Sequence, residues 1–438
     1  MSATPASVPR LDAVRSALDV RGRELGAVIE LVPRSAERSG SAARADPKRG
    51  ADPGTFGLDG VAVAVKANIA VRSTAWSAGI GARSHLISAD DAPVVSALRS
   101  AGADIVATLN MAEAALGATT NNVFFGIGRN PHDLTRTCGG SSGGSGAVVG
   151  GGLVSLALGT DTMGSVRVPA AYCGCVGFKP SNGVLPTAGV VPLSTLLDCV
   201  GPLASDVATA LAAIRATAAP AAAGPWSAPA SHRFRWDRPA VFPERLIVPT
   251  EVLTHDLEPE VEEAFERVVD ALRHRGVEII ERPLGIDLAR LRRRGLVLCE
   301  AEGAAIHADL LAADPEGFSA HVRSMFAFGG SKTATELAAI LQDLLDMGAA
   351  IGDLLTEADG FLTPTTPQVA FTVDAPVPAD QADFTAFANV AGLPAVTLPV
   401  PRHDGQMPVG IQLVGRRLAD DLLGANALAV ESMLRTMS

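Results

Sequence analysis

Aromatic residues are scarce in this chain of 438 residues: three tryptophans, one tyrosine and fourteen phenylalanines, 4% in all. So few rings leave few large flat surfaces for an aryl or long acyl group, although a pocket needs only two or three. Clustered positive charge is also missing. The net charge is -11, and the single basic run, LARLRRRG at Leu288–Gly295, reads as a solvated helix face. That balance disfavours direct nucleic-acid binding, which needs a concentrated basic surface. No apolar run reaches the roughly 18 residues that a membrane span requires, and MSATPASVPRLDAVRSAL has no apolar signal core. The five cysteines (Cys138, Cys173, Cys175, Cys199, Cys299) lack zinc-type spacing. Their odd number without a signal peptide fits reduced thiols, and the expected location is cytoplasmic. None of the eight histidines falls between Asp133 and His232, and each reads as a surface side chain. Ser165 sits in MGSVR and lacks the G-x-S-x-G elbow, so a Ser–His–Asp triad is disfavoured.

What the chain has in quantity is alanine, glycine and valine, within a composition that is 47% hydrophobic and 19% charged. Small aliphatics suit tightly packed sheets and helices. Helical spacing runs through Leu11–Leu31, and Pro33–Gly54 reads as an exposed connection. GLDGVAVAVKANI (Gly57–Ile69) predicts a buried strand. Asp90–Asn110 predicts a helix with a capping Asp and Pro in its first turn, stopped at Gly102 and followed by a strand. AVVGGGLVSLALGTD repeats the helix-then-strand order. Ala216–Pro243 is the linker candidate, Pro259–Arg275 an amphipathic helix, Val277–Ile280 a strand, and Gly303–Leu355 mostly helical. Strand character returns at Phe361–Pro367, Ala391–Pro401 and Val409–Gly415, with a last helix from about Ala419. This alternation predicts an α/β fold: a large mixed, mostly parallel central sheet flanked by helices in a single domain. The expected division is an N-terminal helical segment and loop over 1–54 and a catalytic domain over 55–438. Within the latter lie a core at about 57–207 and a helical insertion at about 251–355.

Eight of the fourteen residues from Gly139 to Gly152 are glycine. Glycine is costly inside regular structure, so this density implies backbone held close to something. A P-loop is excluded because no Lys-Ser or Lys-Thr follows. A dinucleotide loop is disfavoured, since Gly144-Ser145-Gly146 lacks its third glycine in place. Lys66 lies in the apolar run VAVAVKANIAV. If buried, its ammonium loses solvation and its pKa falls toward neutrality, which would make it a proton acceptor. The alternative is a lysine at a strand end reaching solvent.

Lys66, GGSSGGS (Gly139–Ser145) and DTMGSVRVPA (Asp161–Ala170) together resemble the amidase signature family of serine hydrolases. Ser141 follows Lys66 by 75 positions and Ser165 follows Ser141 by 24, as in the family pattern. The likeness continues through YCGCVGFKPS, LDCVGPLA, LTPTTP, AGLPAVTLPV and PVGIQLVG, from about Gly57 to Gly415. The resemblance implies a Ser–Ser–Lys triad. Ser165 would be the nucleophile, Ser141 the proton relay after a cis peptide bond from Gly140, and neutral Lys66 the base. It also implies an oxyanion hole from the backbone N–H groups of Thr162, Met163, Gly164 and Ser165. Ser142, Asp161 and Arg167 would support relay and loop. Three positions depart from the usual wording: Ala67 replaces Asp, Met163 replaces a frequent Gly, and Cys138 stands where Pro or a small residue is common. None removes a triad member.

The implied activity is hydrolysis of a C–N amide bond in a small molecule through an acyl-enzyme, with no metal or other cofactor. Alternatives are the glutaminase-like component of a tRNA-dependent amidotransferase, an allophanate- or malonamide-type hydrolase, and a non-catalytic binding protein on the same scaffold. The expected partner is an amide substrate, without direct nucleic acid or membrane; a homodimer is left open.

Overall fold

Eleven strands form one sheet in the computed structural model, which describes residues 11–34, 57–218, 232–403 and 405–437. In chain order these strands are β1 (Val28–Leu31), β2 (Ala62–Lys66), β3 (Asp104–Leu109), β6 (Leu156–Asp161), β7 (Val176–Lys179), β8 (Cys199–Ala204), β9 (Arg245–Pro249), β10 (Glu278–Arg282), β11 (Gly360–Pro364), β12 (Ala395–Val400) and β13 (Val409–Gly415). The two remaining strands, β4 (Asn121–Asn122) and β5 (Gly126–Ile127), make a small separate ribbon. The large sheet runs β1-β3-β2-β6-β8-β7-β12-β13-β11-β9-β10, so both halves of the chain share it.

The sheet is mixed, but the expectation of a mostly parallel one fails. Four neighbouring pairs are parallel and six are antiparallel. Parallel pairing needs a crossover helix, and the crossovers cluster at β2, β3 and β6 and at β9, β10 and β11. The run of helices over Leu11–Leu31 also needs correction. A helix at Leu11–Ala17 widens into a π turn at Leu18–Gly22, and Val28–Leu31 is the edge strand β1. Between them Gly26 adopts φ +59°, which ends the helix and turns the chain toward β3. The helix Pro93–Ser100 begins at Ala92 instead of a capping Asp. The Asp91 carboxylate accepts the Arg72 N–H and pairs with Arg99. The basic run is not wholly solvated, because Arg292 turns inward onto Asp383. Nor is every histidine on the surface: His307 is buried and stacks on Phe326. The Pro33–Gly54 connection (from residue 35) and most of the linker candidate (residues 219–231) lie outside the described residues.

Strand alternation divides the core. Val63, Val65, Leu156 and Leu158 enter one large apolar cluster, while Ala64 and Ala157 face a second with Ala147 and Val148. Each fully buried valine or leucine contributes about 1.5–3 kcal/mol. On the second face the side chains are small, so the glycine-rich helix Gly143–Gly150 lies close to the sheet. At Gly144 the approach is tightest, where a Cβ would stand 2.4 Å from the Asn110 carbonyl oxygen. The chain's glycine density is explained here by backbone contact.

Candidate functional site

β2 and β6 are parallel neighbours, with Val65 opposite Leu158, so their carboxyl ends emerge side by side. β2 ends on Lys66 and β6 on Asp161. The helix Gly143–Gly150 leads into β6, which brings Ser141 and Ser142, just before that helix, to the same edge. The peptide bond from Gly140 to Ser141 is cis.

Lys66 is fully buried and does not reach solvent. Its Nζ lies 2.8 Å from the Ser141 hydroxyl and 2.8 Å from the Thr160 hydroxyl. Burial lowers its pKa to about 7, against the opposing pull of Asp198 and Asp161. Near neutrality the amine therefore carries a lone pair for much of the time. Asn68 Nδ2 donates to Thr160 Oγ1 at 3.1 Å. Thr160 then offers its remaining lone pair to one Lys66 N–H, which leaves the amine's lone pair for the Ser141 proton. Ser142 joins the segments: its N–H donates to the Ser165 carbonyl at 3.2 Å and its hydroxyl to the Thr160 carbonyl at 3.0 Å.

The turn Thr162–Val166 is fixed from within by Asp161. One carboxylate oxygen accepts the Gly164 N–H at 2.7 Å, and the other accepts the Val166 N–H at 3.1 Å. Arg167, also without solvent exposure, donates to the same carboxylate from Nε at 3.0 Å and from Nη2 at 2.8 Å. It reaches on to the Thr385 carbonyl, Gln412 Oε1 and Asn389 Oδ1. Burial alone would raise the Asp161 pKa, but the Arg167 guanidinium outweighs it and holds the carboxyl well below the usual range. Thr385 completes the brace by donating from its hydroxyl to the Met163 carbonyl at 2.6 Å. Gly164 has φ +130°, and a Cβ there would meet Thr385 Oγ1 at 2.2 Å. Only glycine fits.

These bonds correct one expectation: the Gly164 N–H is committed to Asp161 and does not face outward. Among the described residues no hydrogen-bond acceptor accompanies the N–H groups of Thr162, Met163 and Ser165. Ser165 itself is partly exposed on this turn. Met163 packs toward the helix Leu288–Ile306, where a Cβ on Gly295 would come within 2.6 Å of its sulfur. Cys138 is a packed thiol whose pKa burial pushes up to about 12.

Lys66, Ser141, Ser142, Asp161, Arg167 and the turn bearing Ser165 thus meet at one edge of the sheet. Sequence reasoning missed Asn68, Thr160, Asp198, Thr385, Asn389 and Gln412. Gln412 carried a signal, as the one polar side chain inside the apolar strand VGIQLVG. Asp198 stood in LDCVGPLA without an assigned role.

The Amidase family profile matches residues 13–423. The glutaminase-type component of the glutamyl-tRNA(Gln) amidotransferase of Symbiobacterium thermophilum is 34% identical over 413 residues, covering 86% of this chain and 84% of the relative. A crystal structure of an amidase superposes with a TM-score of 0.84 at 30% identity, covering 98% of this chain and 96% of that one. Kluyveromyces lactis allophanate hydrolase superposes with a TM-score of 0.82 at 25% identity, covering 99% of this chain and 74% of that one. Sequence match and fold agree over nearly the whole length, and the chain belongs to the amidase signature family of hydrolases acting on C–N bonds.

Proposed function

We propose that the chain hydrolyses the amide C–N bond of a small molecule, with Ser165 as nucleophile, Ser141 as relay and Lys66 as base. The observation that carries this reading is the buried 2.8 Å contact between Lys66 Nζ and Ser141 Oγ. A serine hydroxyl is a weak nucleophile near pH 7 without a base to accept its proton. As Ser165 Oγ bonds to the carbonyl carbon, its proton passes to Ser141 while the Ser141 proton passes to Lys66. The resulting oxyanion accepts hydrogen bonds from the Thr162, Met163 and Ser165 N–H groups. Loss of one such donor typically costs about 2.7–4 kcal/mol of transition-state stabilisation. The proton returns through Ser141 to the leaving nitrogen as the C–N bond breaks. Water then attacks the acyl-enzyme by the same relay, releasing carboxylate.

Ser165→Ala tests the assignment. It should abolish turnover and fluorophosphonate labelling while leaving the fold intact. Wild-type activity in that variant would sink the nucleophile. A panel of amides read by ammonia release addresses the substrate. Short acyl or ureido amides are expected to outperform long fatty amides, in line with the few aromatics and the likeness to an allophanate hydrolase. A kcat/KM at least about 10-fold higher for a long-chain amide, about 1.4 kcal/mol in transition-state binding, would reject that class. The similarity to a component of glutamyl-tRNA(Gln) amidotransferase supports a second reading, glutamine hydrolysis within a complex. Co-purification with other proteins and glutaminase activity dependent on them would favour it.

A further inference from the structure

Asp198 begins the turn into β8 and reaches two segments at once. Its Oδ1 accepts the Thr162 hydroxyl at 2.6 Å. Its Oδ2 accepts the N–H groups of Leu193 at 2.8 Å and Ser194 at 3.1 Å. The turn carrying Ser165 is thereby held at both ends, by Asp161 from inside and by Asp198 at Thr162. Thr162 carries one of the three N–H groups without an acceptor, so the carboxylate fixes the direction of a donor it does not itself occupy.

We propose that Asp198 is a positioning residue with two effects: it clamps the Thr162 end of the oxyanion turn, and its charge sets the proton affinity of Lys66. This rests on the Ser165–Ser141–Lys66 reading. The second effect follows from what surrounds the carboxylate. Among the described residues the ionisable groups facing it are Lys66 on β2, Asp161 on β6, Cys199 on β8 and Cys299 on the helix Leu288–Ile306. The thiols stay neutral because burial raises both. Lys66 is thus the only cation of this group, and Asp198 is its strongest anionic neighbour. Burial lifts Asp198 itself to about 6, so the two groups titrate as a coupled pair.

The sign is definite. A negative Asp198 favours the charged lysine and raises its pKa; removing that charge lets the lysine lose its proton at lower pH. Asp198→Asn should therefore reduce kcat on its plateau and move the acid limb of kcat/KM down by at least about half a pH unit. Thr162→Val should reduce kcat and leave the limb where it is, since it removes a hydroxyl and no charge. Thr162→Ser should lose far less than Thr162→Val, a comparison that holds even if Asp198→Asn does not fold. An acid limb that stays or rises in Asp198→Asn, an equal shift in Thr162→Val, or equal activity in the two Thr162 variants would overturn the proposal. Fluorophosphonate labelling of the wild type separates the readings. If Ser165 is not the labelled residue the triad fails, whereas labelling at Ser165 with an unmoved limb sinks only the role of Asp198.

Discussion

Arg167→Met offers the sharpest quantitative test of how the catalytic turn is held. Methionine keeps much of the side-chain length and removes the guanidinium. In the native protein Arg167 and Asp161 have no exposed side-chain surface, so solvent screening cannot soften the loss. Removing one partner of a buried ion pair costs about 3–5 kcal/mol, because the other charge stays behind unpaired. The variant also strips Gln412 Oε1 and the Thr385 carbonyl of their guanidinium donor. Orphaned buried acceptors add about 1–3 kcal/mol each before relaxation. Against a typical total of about 5–15 kcal/mol, the variant should sit near its unfolding threshold. The dependence on pH carries the sign of the cause. With Arg167 present, the Asp161 pKa lies below its unfolded value, so the stabilisation is intact above about pH 4 and is lost only in stronger acid. Without Arg167, burial raises that pKa, and stability should instead fall as pH rises from about 5 to about 8. Thermal melts at fixed scan rate across that range check both statements. Asp161→Asn in the same chain should restore part of the loss and flatten the pH dependence. A single variant melting within about 2 °C of wild type at about pH 8, or a double variant no better than the single, would refute the buried-pair account.

The remaining expectations are simpler. The kcat/KM profile of the native enzyme should rise with pH through about 7, as Lys66 loses its proton. Lys66→Arg should be inactive across that range because arginine keeps its proton, and an active arginine variant with the same profile would remove Lys66 as base. Gly164→Ala should lower activity at least about 100-fold, since its Cβ displaces Thr385 and the turn pinned to it. Near-normal kcat in that variant would show the turn to be more compliant than its contacts imply.

The residues along the chain made much of this legible. Alternating short apolar runs and helical stripes placed β2, β3, β6, β12 and β13, and the GGSSGGS and DTMGSVRVPA wording located the turn. Strand direction was less accessible. Connections such as that between β12 and β13 are short enough to reverse the chain, and they make the sheet more antiparallel than the helix-strand alternation suggested. β1 was hidden because VIEL continues a helical stripe until Gly26 breaks it. The brace around Arg167 could not be read at all. Its partners are single polar residues in distant apolar phrases, and only the folded sheet brings them together. The orientation of one N–H, at Gly164, likewise depends on a turn geometry that composition does not encode.

Asp161 and Arg167 are separated by six positions, but Arg167's bonds to Thr385, Asn389 and Gln412 span 218 to 245 positions. Long-range closure of this kind forms late, after shorter contacts have reduced its entropic cost. During synthesis the serine-bearing turn emerges early and waits for the last third of the polypeptide. A ribosome-bound chain ending before Gln412 holds every side chain of the proposed triad, yet its turn has no complete brace. Hydrolytic competence is accordingly a late event in the life of each molecule, and partly synthesised chains are kept from acting on cellular amides.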